Sequence, residues 1–345
     1  MKEKELNLIS FDLFSGVGGL TEGLRKAGFD TKYAFEIDKN ASKAYLCNHK
    51  TTTVITQDIR EVNLEDIKQK INGLELHLLA GCPPCQGFSS IRRLNKAKPV
   101  DDPRNDLINE YVRFVDFFRP YTIMLENVPW LEHDELFIEA KKKLETFGYR
   151  IDVAVVNVKD YGVPQNRKRL VMVGSRLGSI SIAKPNEKKV TVRDCIEKMP
   201  KPKKSKDKLH KIFPNHAPEI KELIRDIPHD GGSRRDLGKE RQLACHTKKN
   251  IGFNDVYGRL RWDDHSSTIT GGCLNPSKGR FLHPEQNRCI SAREAMLLQS
   301  FPKTYQIPTD IPKTKIALMI GNALPPKFSY YQAKNIRKHL LKYLP

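Results

Sequence analysis

An alternation of apolar, strand-like runs with amphipathic helical stretches occupies residues 6–175 and limits the possible folds more than any other feature of the chain. Short continuous apolar runs are typical of buried strands, whereas apolar positions three or four apart are typical of helices. Their alternation predicts a doubly wound α/β domain with a largely parallel sheet, and Gly28 and Gly148 are expected to end two of its helices. The strand-like runs are LNLISFDLF, TKYAFEID, TVIT, ELHLLAG, TIMLEN, IDVAVVNV and RLVMVGS, and the helical stretches are GLTEGLRKAG, NASKAYLCNH, DLINEYVRFVDFFR and ELFIEAKKKLETFG.

The alternation stops at about residue 176. Residues 184–211 hold eleven Lys or Arg against four Asp or Glu, and short segments rich in Gly, Pro and charge continue to about residue 285. This change predicts a second, smaller and irregular domain. Order returns where Ser291 and Glu294 have the spacing of a capping box, and KFSYYQAKNIRKHLLKYL near the C-terminus predicts an amphipathic helix.

Composition restricts the partners and the compartment. The formal charge of +19 favours a polyanionic partner, although a solvated Lys-rich surface would give the same total. No apolar run approaches the roughly 20 residues of a membrane span, and the charged N-terminus lacks a signal region, so we expect a cytoplasmic protein that does not contact a membrane. Seven scattered cysteines, of which only Cys82 and Cys85 are close in sequence, indicate neither a disulfide framework nor a zinc site, and no metal is expected.

A glycine-rich turn follows the first predicted strand and opens the first helix, in the segment DLFSGVGGL. Its G-x-G-G pattern differs from the G-x-G-x-x-G pattern of pyrophosphate binding, which favours a ligand that carries adenosine without a diphosphate. Glu36, at the end of the second strand, lies about 20 residues further on, where an acid usually binds ribose hydroxyls. Asp58 and Ile59 follow the third strand and could hold the adenine amino group and pack on its ring.

The segment GCPPCQGFS ends the fourth predicted strand, at the sheet edge where ligands collect in such folds. Cys82 and Cys85 could form a redox pair or half of a metal site, or Cys85 could act alone as a nucleophile if its pKa is lowered. Glu126 ends the fifth strand at the same edge, and burial of a carboxyl group favours the protonated form, which suits a proton donor. Arg167 and Arg169 alternate in QNRKRL, so we expect their side chains on one face of a strand.

Taken in order, these motifs resemble those of the cytosine carbon-5 DNA methyltransferases. The resemblance covers about residues 8–175 and 288–336 and leaves out only the variable segment between them. It implies an S-adenosylmethionine-dependent methyltransferase fold and an enzyme of the compact prokaryotic or phage type. Such enzymes commonly protect host DNA from a partner endonuclease. The matching segments are DLFSGVGGL, FEID, QDI, GCPPCQGFS, DDPRNDL, ENV, QNRKR, RCISAREAMLLQSFP and IGNALPP.

The resemblance implies a catalytic role for four residues. Cys85 would add to carbon 6 of a flipped cytosine, and Glu126 would protonate or hydrogen-bond ring nitrogen 3. Carbon 5 would then take the methyl group of S-adenosylmethionine, and loss of the carbon-5 proton and the thiolate would restore the ring. Arg167 and Arg169 would hold the flipped base and help to order the nucleophile's loop, whereas Cys82 occupies a position that this mechanism does not use.

The same resemblance implies binding residues. Ile37 stands where some relatives carry an aromatic residue, so we expect a weaker adenine contact there. Thr268 or Thr270, in the segment SSTITGG, would lie near the backbone of the flipped nucleotide, and Gln86 and Ser89 would also contact DNA. The implied cofactor contacts are Phe14, Gly16, Val17, Gly18, Gly19, Glu36, Ile37, Asp58, Ile59, Pro84, Leu107 and Asn322.

By this resemblance, residues 1–175 form the catalytic and cofactor-binding domain, 176–287 the target-recognition domain, and 288–345 a return segment that completes the catalytic domain. The expected partners are double-stranded DNA and a cognate restriction endonuclease, and we expect a monomer. The alternatives are a tRNA cytosine-5 methyltransferase, a catalytically silent DNA-binding homologue and a CPPC oxidoreductase. The sequence lacks the Cys-Phe-Thr element typical of the tRNA branch, and it does not reveal which DNA site is recognised.

Overall fold

The computed structural model describes residues 7–84, 106–185, 189–241 and 255–344, and the chain divides into two compact units. The first unit contains three segments, Met1–Asn157, Lys168–Asn186 and Leu324–Pro345. The second contains Val158–Arg167 and Glu187–Ala323.

The first unit is built on a sheet. Its strands are β1 (Leu8–Leu13), β2 (Phe29–Phe35), β3 (Thr53–Ile55), β4 (Leu78–Gly81), β5 (Thr122–Asn127), β6 (Arg150–Asn157) and β7 (Lys168–Ser175). They are ordered β3-β2-β1-β4-β5-β7-β6, and β1 to β5 pair in parallel. Strand β7 is antiparallel to both β5 and β6. The prediction of an α/β fold with a largely parallel sheet is therefore confirmed.

Helices follow most strands of the first unit and make up the regular structure described in the second. In the first unit they are α1 (Gly19–Lys26), α2 (Lys39–Leu46), α3 (Leu64–Ile71), α4 (Leu107–Phe118), α5 (Glu135–Thr146) and α10 (Pro326–Tyr343). In the second they are α6 (Val192–Ile196), α7 (Pro218–Asp226), α8 (Ala292–Leu298) and α9 (Lys313–Asn322). The sequence alternation did not predict α3, which begins where the Asn63 side chain accepts a hydrogen bond from the Glu65 amide.

Strand β1 is buried on both of its faces, as a central parallel strand should be. Its side chains at 9, 11 and 13 belong to the main apolar core, together with those of α4. Side chains at 8, 10 and 12 point to the opposite face, where Asp12 meets Thr21 of α1. Helices therefore cover both sides of the sheet, and the ends of the parallel strands remain as the edge that carries the candidate site.

Close packing of α1 against α10 fixes the direction in which α1 leaves the sheet. A Cβ atom on Gly23 would lie 1.8 Å from Ser329 Oγ and 2.5 Å from the Tyr330 amide nitrogen, so only glycine allows this approach. Ser329 Oγ lies 3.3 Å from the Gly19 carbonyl and 3.2 Å from the Leu20 carbonyl, which are acceptors in the first turn of α1. The predicted amphipathic helix near the C-terminus is thus confirmed and supports the start of α1.

The boundaries of the two units differ from those expected from composition. Residues 158–167 and 288–323 belong to the second unit, whereas 176–186 belong to the first. Composition marks where the regular pattern stops, but packing decides to which unit a residue belongs. Gln165, for example, pairs with Ser266 in a parallel bridge of the second unit.

The second unit is held together by buried polar groups. The predicted capping box at the start of α8 is present, with Ser291 and Glu294 exchanging side-chain and backbone hydrogen bonds. The guanidinium of Arg259 is completely buried and donates to the carbonyls of Ile224 and Ile227 of the α7 segment. It also donates to the His283 and Gln286 carbonyls and to Asn287 Oδ1, and burial lowers its pKa to about 10.

Candidate active site

The glycine-rich turn predicted from the sequence connects β1 to α1. Phe14, Gly16 and Gly18 have φ angles of 59°, 55° and 87°, in the left-handed region that favours glycine. No atom lies within 4 Å of a Cβ placed on Gly16, so the backbone conformation, and not a close neighbour, favours glycine there. Phe14 bears the strain that a non-glycine residue has in this region, and such strain is common at functional sites. Val17 and Gly19 are buried within the turn.

Glu36 ties this turn to the end of β2. One carboxylate oxygen accepts from the Gly16 amide at 2.8 Å, and the other accepts from the Asp38 amide at 2.8 Å. Burial raises the pKa of Glu36, and the two amide donors oppose that rise. The adjacent Ile37 is 64% exposed, which is unusual for an apolar side chain and leaves a surface for an apolar ring.

Asp58 follows β3 and begins a short 3-10 helix at Ile59. Its carboxylate accepts from Arg60 Nε at 3.0 Å and from Arg60 Nη2 at 2.5 Å, and these bonds lower the pKa of Asp58. Ile59 is 5% exposed and belongs to the apolar core, so Ile37 offers more apolar surface to a ligand than Ile59 does. Leu107, the first residue of α4, is also buried.

The segment after β4 is described only as far as Pro84, which is half-buried. The predicted nucleophile Cys85 and the predicted DNA contacts Gln86 and Ser89 lie outside the described residues. The Cys82 amide donates to the Leu13 carbonyl at 3.2 Å, which continues the β1–β4 pairing past the end of β4.

Asn127 fixes this segment from the neighbouring strand. Its Nδ2 donates to the Pro83 carbonyl at 2.9 Å, and its Oδ1 accepts from the Val128 amide at 2.8 Å. The side chain is 6% exposed, so both bonds are shielded from water. Sequence reasoning passed over Asn127, although its position next to Glu126 in ENV was the available signal.

The predicted acid and one predicted arginine meet across two strands. Arg169 Nε of β7 lies 2.8 Å from Glu126 Oε1 of β5, and the two side chains are 14% and 9% exposed. Burial lowers the pKa of Arg169, and the charge of Glu126 opposes that change. Burial of Glu126 was expected from the sequence, but this ion pair was not, because its two residues come from strands far apart in sequence.

Arg167 and Arg169 were expected on one face of a strand, but only Arg169 lies within β7. Strand β7 begins only at Lys168, and Arg167 belongs to the second unit. There its Nη1 donates to the carbonyls of Ile269 at 3.0 Å and Gly321 at 2.9 Å, and the side chain is 4% exposed.

Two further residues of the second unit explain its local geometry. Gln165 donates to Gln299 Oε1 at 2.8 Å and accepts from the Ile269 amide at 2.9 Å, a role that sequence reasoning missed. Gly321 lets α9 approach the 268–272 segment, since a Cβ there would lie 2.1 Å from the Gly271 nitrogen. Asn322, the predicted cofactor contact, is exposed at the end of α9.

The two predicted DNA-contacting threonines lie on either side of Ile269. Thr268 Oγ1 donates to the Asn166 carbonyl at 2.8 Å. Thr270 Oγ1 instead accepts from the Gly272 amide at 3.4 Å. The hydroxyl hydrogen of Thr268 is therefore used within the unit, whereas Thr270 can still donate.

Comparison with known proteins decides the family. Residues 8–338 match the family described as C-5 cytosine-specific DNA methylase. The chain belongs to that family. The resemblance seen in the motifs is thus confirmed, and with it the prediction that this methylase is a DNA (cytosine-5-)-methyltransferase.

Several type II methylases are similar to this chain over nearly its whole length. Type II methylase M.HgiDII of Herpetosiphon aurantiacus is 34% identical over 342 residues, which cover 95% of each chain. Type II methyltransferase M1.BsuMI of Bacillus subtilis (strain 168) is 31% identical over 349 residues, which cover 93% of this methylase and 78% of that relative.

Solved structures agree with the fold. A protein encoded within an E. coli prophage and assigned as a DNA modification methyltransferase has a TM-score of 0.76 and 25% identity, with 97% of this chain and 99% of that chain covered. The S. pombe Dnmt2 methyltransferase has a TM-score of 0.64 and 18% identity, which shows a shared fold.

The described ranges of this methylase contain neither a membrane-spanning helix nor a metal-binding cluster. No helix in these ranges is both long and apolar enough to cross a membrane. No cluster of three or more His, Cys, Asp or Glu side chains suited to a metal ion occurs in the same ranges.

Proposed function

We propose that this methylase transfers a methyl group from S-adenosylmethionine to carbon 5 of a flipped cytosine, within a short duplex DNA sequence, through a covalent adduct with Cys85. The observation that carries the proposal is the pairing of Glu126 with Arg169 at the sheet edge. Asn127, the next residue of the same strand, holds Pro83, two residues before Cys85. An acid, its orienting cation and a rigidly held loop start are thus brought together in one unit.

The proposed reaction begins with the Cys85 thiolate. The sulfur forms a bond to carbon 6 of the cytosine, and the electron pair of the 5,6 double bond is displaced into the ring. Glu126 hydrogen-bonds or protonates ring nitrogen 3, where the negative charge would otherwise accumulate, and Arg169 keeps the carboxyl group in position. Carbon 5 would then take the methyl group as the bond between that methyl and the sulfonium sulfur breaks, which leaves S-adenosylhomocysteine. A water molecule would take the carbon-5 proton, the Cys85 thiolate would leave carbon 6, and any proton at ring nitrogen 3 would return to Glu126, which restores the ring.

The residues at the ends of β1, β2 and β3 fit S-adenosylmethionine. When bound, this cofactor supplies an electrophilic methyl group on a sulfonium centre. Glu36 has its carboxylate fixed by amide donors beside the glycine turn, which suits binding of ribose hydroxyls, and Asp58 suits the adenine amino group. The exposed side chain of Ile37 provides the apolar surface for the adenine ring.

The remaining predicted cofactor contacts stay part of this proposal, and they are Phe14, Gly16, Val17, Gly18, Gly19, Ile59, Pro84, Leu107 and Asn322.

The second unit is proposed as the reader of the target DNA. It contains most of the basic segment 184–211, and extrusion of a base costs a few kcal/mol that phosphate and base contacts must offset. Of the two threonines, Thr270 suits a phosphate oxygen better than Thr268 does, because Thr270 keeps its hydroxyl hydrogen for donation.

A partner and an oligomeric state of this methylase are proposed from the same family. A restriction endonuclease that cuts the same site would be its cognate partner, because similar proteins carry type II names. The protein is proposed to act as a monomer.

The decisive experiment incubates the purified protein with radiolabelled S-adenosylmethionine and either mixed-sequence DNA or total tRNA. Analysis of the product nucleosides should find label in 5-methylcytosine from DNA, and sequencing of the modified DNA gives the site. Label found only in tRNA would move the assignment to an RNA methyltransferase, and no label in either would support a silent DNA-binding homologue.

The adduct has a separate test. DNA that carries 5-fluorocytosine at the target site cannot lose a proton from carbon 5, so the covalent complex should persist on a denaturing gel. Cys85→Ser should form no such complex and should methylate nothing, while it still binds DNA. Full activity of Cys85→Ser would refute the covalent mechanism.

A further inference from the structure

We propose that Asp12, Thr21 and Tyr45 form a positioning element beneath the glycine-rich turn, here called the turn clamp, and that it sets the affinity of the cofactor site. The inference rests on the proposed function, because it assumes that S-adenosylmethionine binds at this turn. It concerns residues that the assigned motifs leave without a role.

The turn clamp closes the loop between β1 and α1. Asp12 is in β1 and Thr21 is in the first turn of α1, so the two residues bracket the entire turn. Thr21 Oγ1 donates to Asp12 Oδ2 at 2.5 Å. When Asp12 is ionised, this bond uses the only hydroxyl hydrogen of Thr21, so Tyr45 of α2 donates to Thr21 Oγ1, 2.8 Å away.

All three side chains are inaccessible to water. Asp12 and Tyr45 are 0% exposed and Thr21 is 2% exposed. Hydrogen bonds in such an environment are stronger than at the surface, and their loss leaves an unsatisfied polar group. The turn clamp therefore fixes the first turn of α1 to β1 and α2.

A second contact links this cluster to the turn itself. His49, just after α2, is 4% exposed and its ring lies 4.7 Å from that of Tyr45. It also bonds to the backbone of Gly18, whose φ of 87° is part of the turn. Displacement of Tyr45 would thus be transmitted through His49 to Gly18.

Burial of the Asp12 carboxyl group costs more free energy than packing alone would justify. Its Oδ1 is buried and has no hydrogen-bond partner within the described part of the chain. The charged group near Asp12 is Glu36, at the end of β2. Its polar neighbours are Thr21 from α1 and Tyr45 from α2. A buried carboxylate with one unpartnered oxygen is costly, whereas a nearby cation would favour its charged form.

This arrangement predicts a pH-dependent affinity. Burial raises the pKa of Asp12 to about 7, so the group is charged in only part of the molecules near neutral pH. A cofactor with a sulfonium charge favours the ionised form, and its affinity should rise as pH increases through 7. S-adenosylhomocysteine lacks the sulfonium and should show a smaller dependence.

Stability should change in the opposite direction. The folded pKa of Asp12 lies above its ordinary value of 3.8, so its contribution to stability is complete below that value and is lost as pH rises through about 7. Asp12→Asn cannot ionise and should lack both pH dependences.

The test measures binding of S-adenosylmethionine and S-adenosylhomocysteine by calorimetry between pH 6 and 8, together with thermal unfolding. Thr21→Val keeps the shape of the side chain but removes the hydroxyl, and it should weaken cofactor binding about fivefold to tenfold, the equivalent of about 1–1.4 kcal/mol. Tyr45→Phe should act in the same direction and serves if Thr21→Val is unstable. Wild-type affinity should rise several-fold over this pH range, whereas that of Asp12→Asn should stay flat.

Thr31→Val is the matched control. Thr31 Oγ1 and Ser10 Oγ form a buried hydroxyl pair at 2.9 Å on the same face of β1, but this pair does not bracket the turn. The variant should lose stability like Thr21→Val and keep wild-type cofactor affinity.

Equal affinity losses in Thr21→Val and Thr31→Val, or no loss in either, would refute the positioning role. Identical pH profiles of wild type and Asp12→Asn would do the same. If the wild type bound neither ligand, the proposed cofactor would be wrong as well, which separates the two failures.

Discussion

Gly23→Ala tests the reasoning about how α1 is held, because it adds one methyl group where α1 crosses α10. The new Cβ would lie 1.8 Å from Ser329 Oγ, 2.5 Å from the Tyr330 nitrogen and 2.7 Å from the Pro326 carbonyl oxygen. A rotation of the Ser329 side chain can relieve only the first contact. The other two involve backbone, so the helices must separate.

The expected magnitude follows from two opposing effects. Overpacking of this kind costs about 1–3 kcal/mol, and backbone contacts place this site at the upper end. Alanine is favoured over glycine inside a helix by about 1 kcal/mol. We therefore expect the free energy of unfolding to fall by about 2 kcal/mol, with weaker cofactor binding because the glycine turn begins α1.

The assay is denaturant unfolding of Gly23→Ala, Ser329→Ala and the double variant. Ser329→Ala removes the 1.8 Å contact, so the double variant should lose less than the sum of the single losses. Gly73→Ala is the control, since its Cβ would have no atom within 4 Å and its effect should add to that of Ser329→Ala without coupling. Wild-type stability in Gly23→Ala, or strict additivity with Ser329→Ala, would refute the close-packing argument.

Three further outcomes are expected. Glu126→Gln should reduce the methylation rate about 10²–10⁴-fold with cofactor affinity within twofold, measured by initial rates and calorimetry, and a rate near wild type would remove Glu126 from the mechanism. Cys82→Ser should stay active in the same assay, and an inactive variant would revive the redox or metal interpretations. Arg259→Met leaves several buried carbonyls without a donor and should lower the free energy of unfolding by about 3 kcal/mol or more, whereas unchanged stability would show that water replaces the guanidinium.

The parts of the first unit that follow from local rules were predictable. Short apolar runs gave the buried strands, and Gly28, with φ of 90°, ends α1 as expected. The capping box of Ser291 and Glu294 is also a local pattern. Glu36 could be placed because its distance along the chain from the glycine turn corresponds to one helix and one strand.

Features that depend on strand direction could not be predicted. The run that forms β7 looks like any other buried strand, yet it pairs antiparallel to both of its neighbours. That reversal brings Arg169 to Glu126, while the preceding turn takes Arg167 into the second unit. The alternation of the two arginines predicts a shared face only if both lie in one strand. No local pattern revealed that the strand begins between them, at Lys168.

The three-segment composition of the first unit has a consequence for the order of events during synthesis. The ribosome produces β1 and α1 first, but α10, which packs on α1 through Gly23 and Ser329, is made only after the whole second unit. Until then the side of α1 that faces α10 has no permanent cover, and such surfaces favour aggregation or chaperone binding. A nascent chain stalled before residue 324 should therefore be protease-sensitive around α1 even if its second unit has already folded.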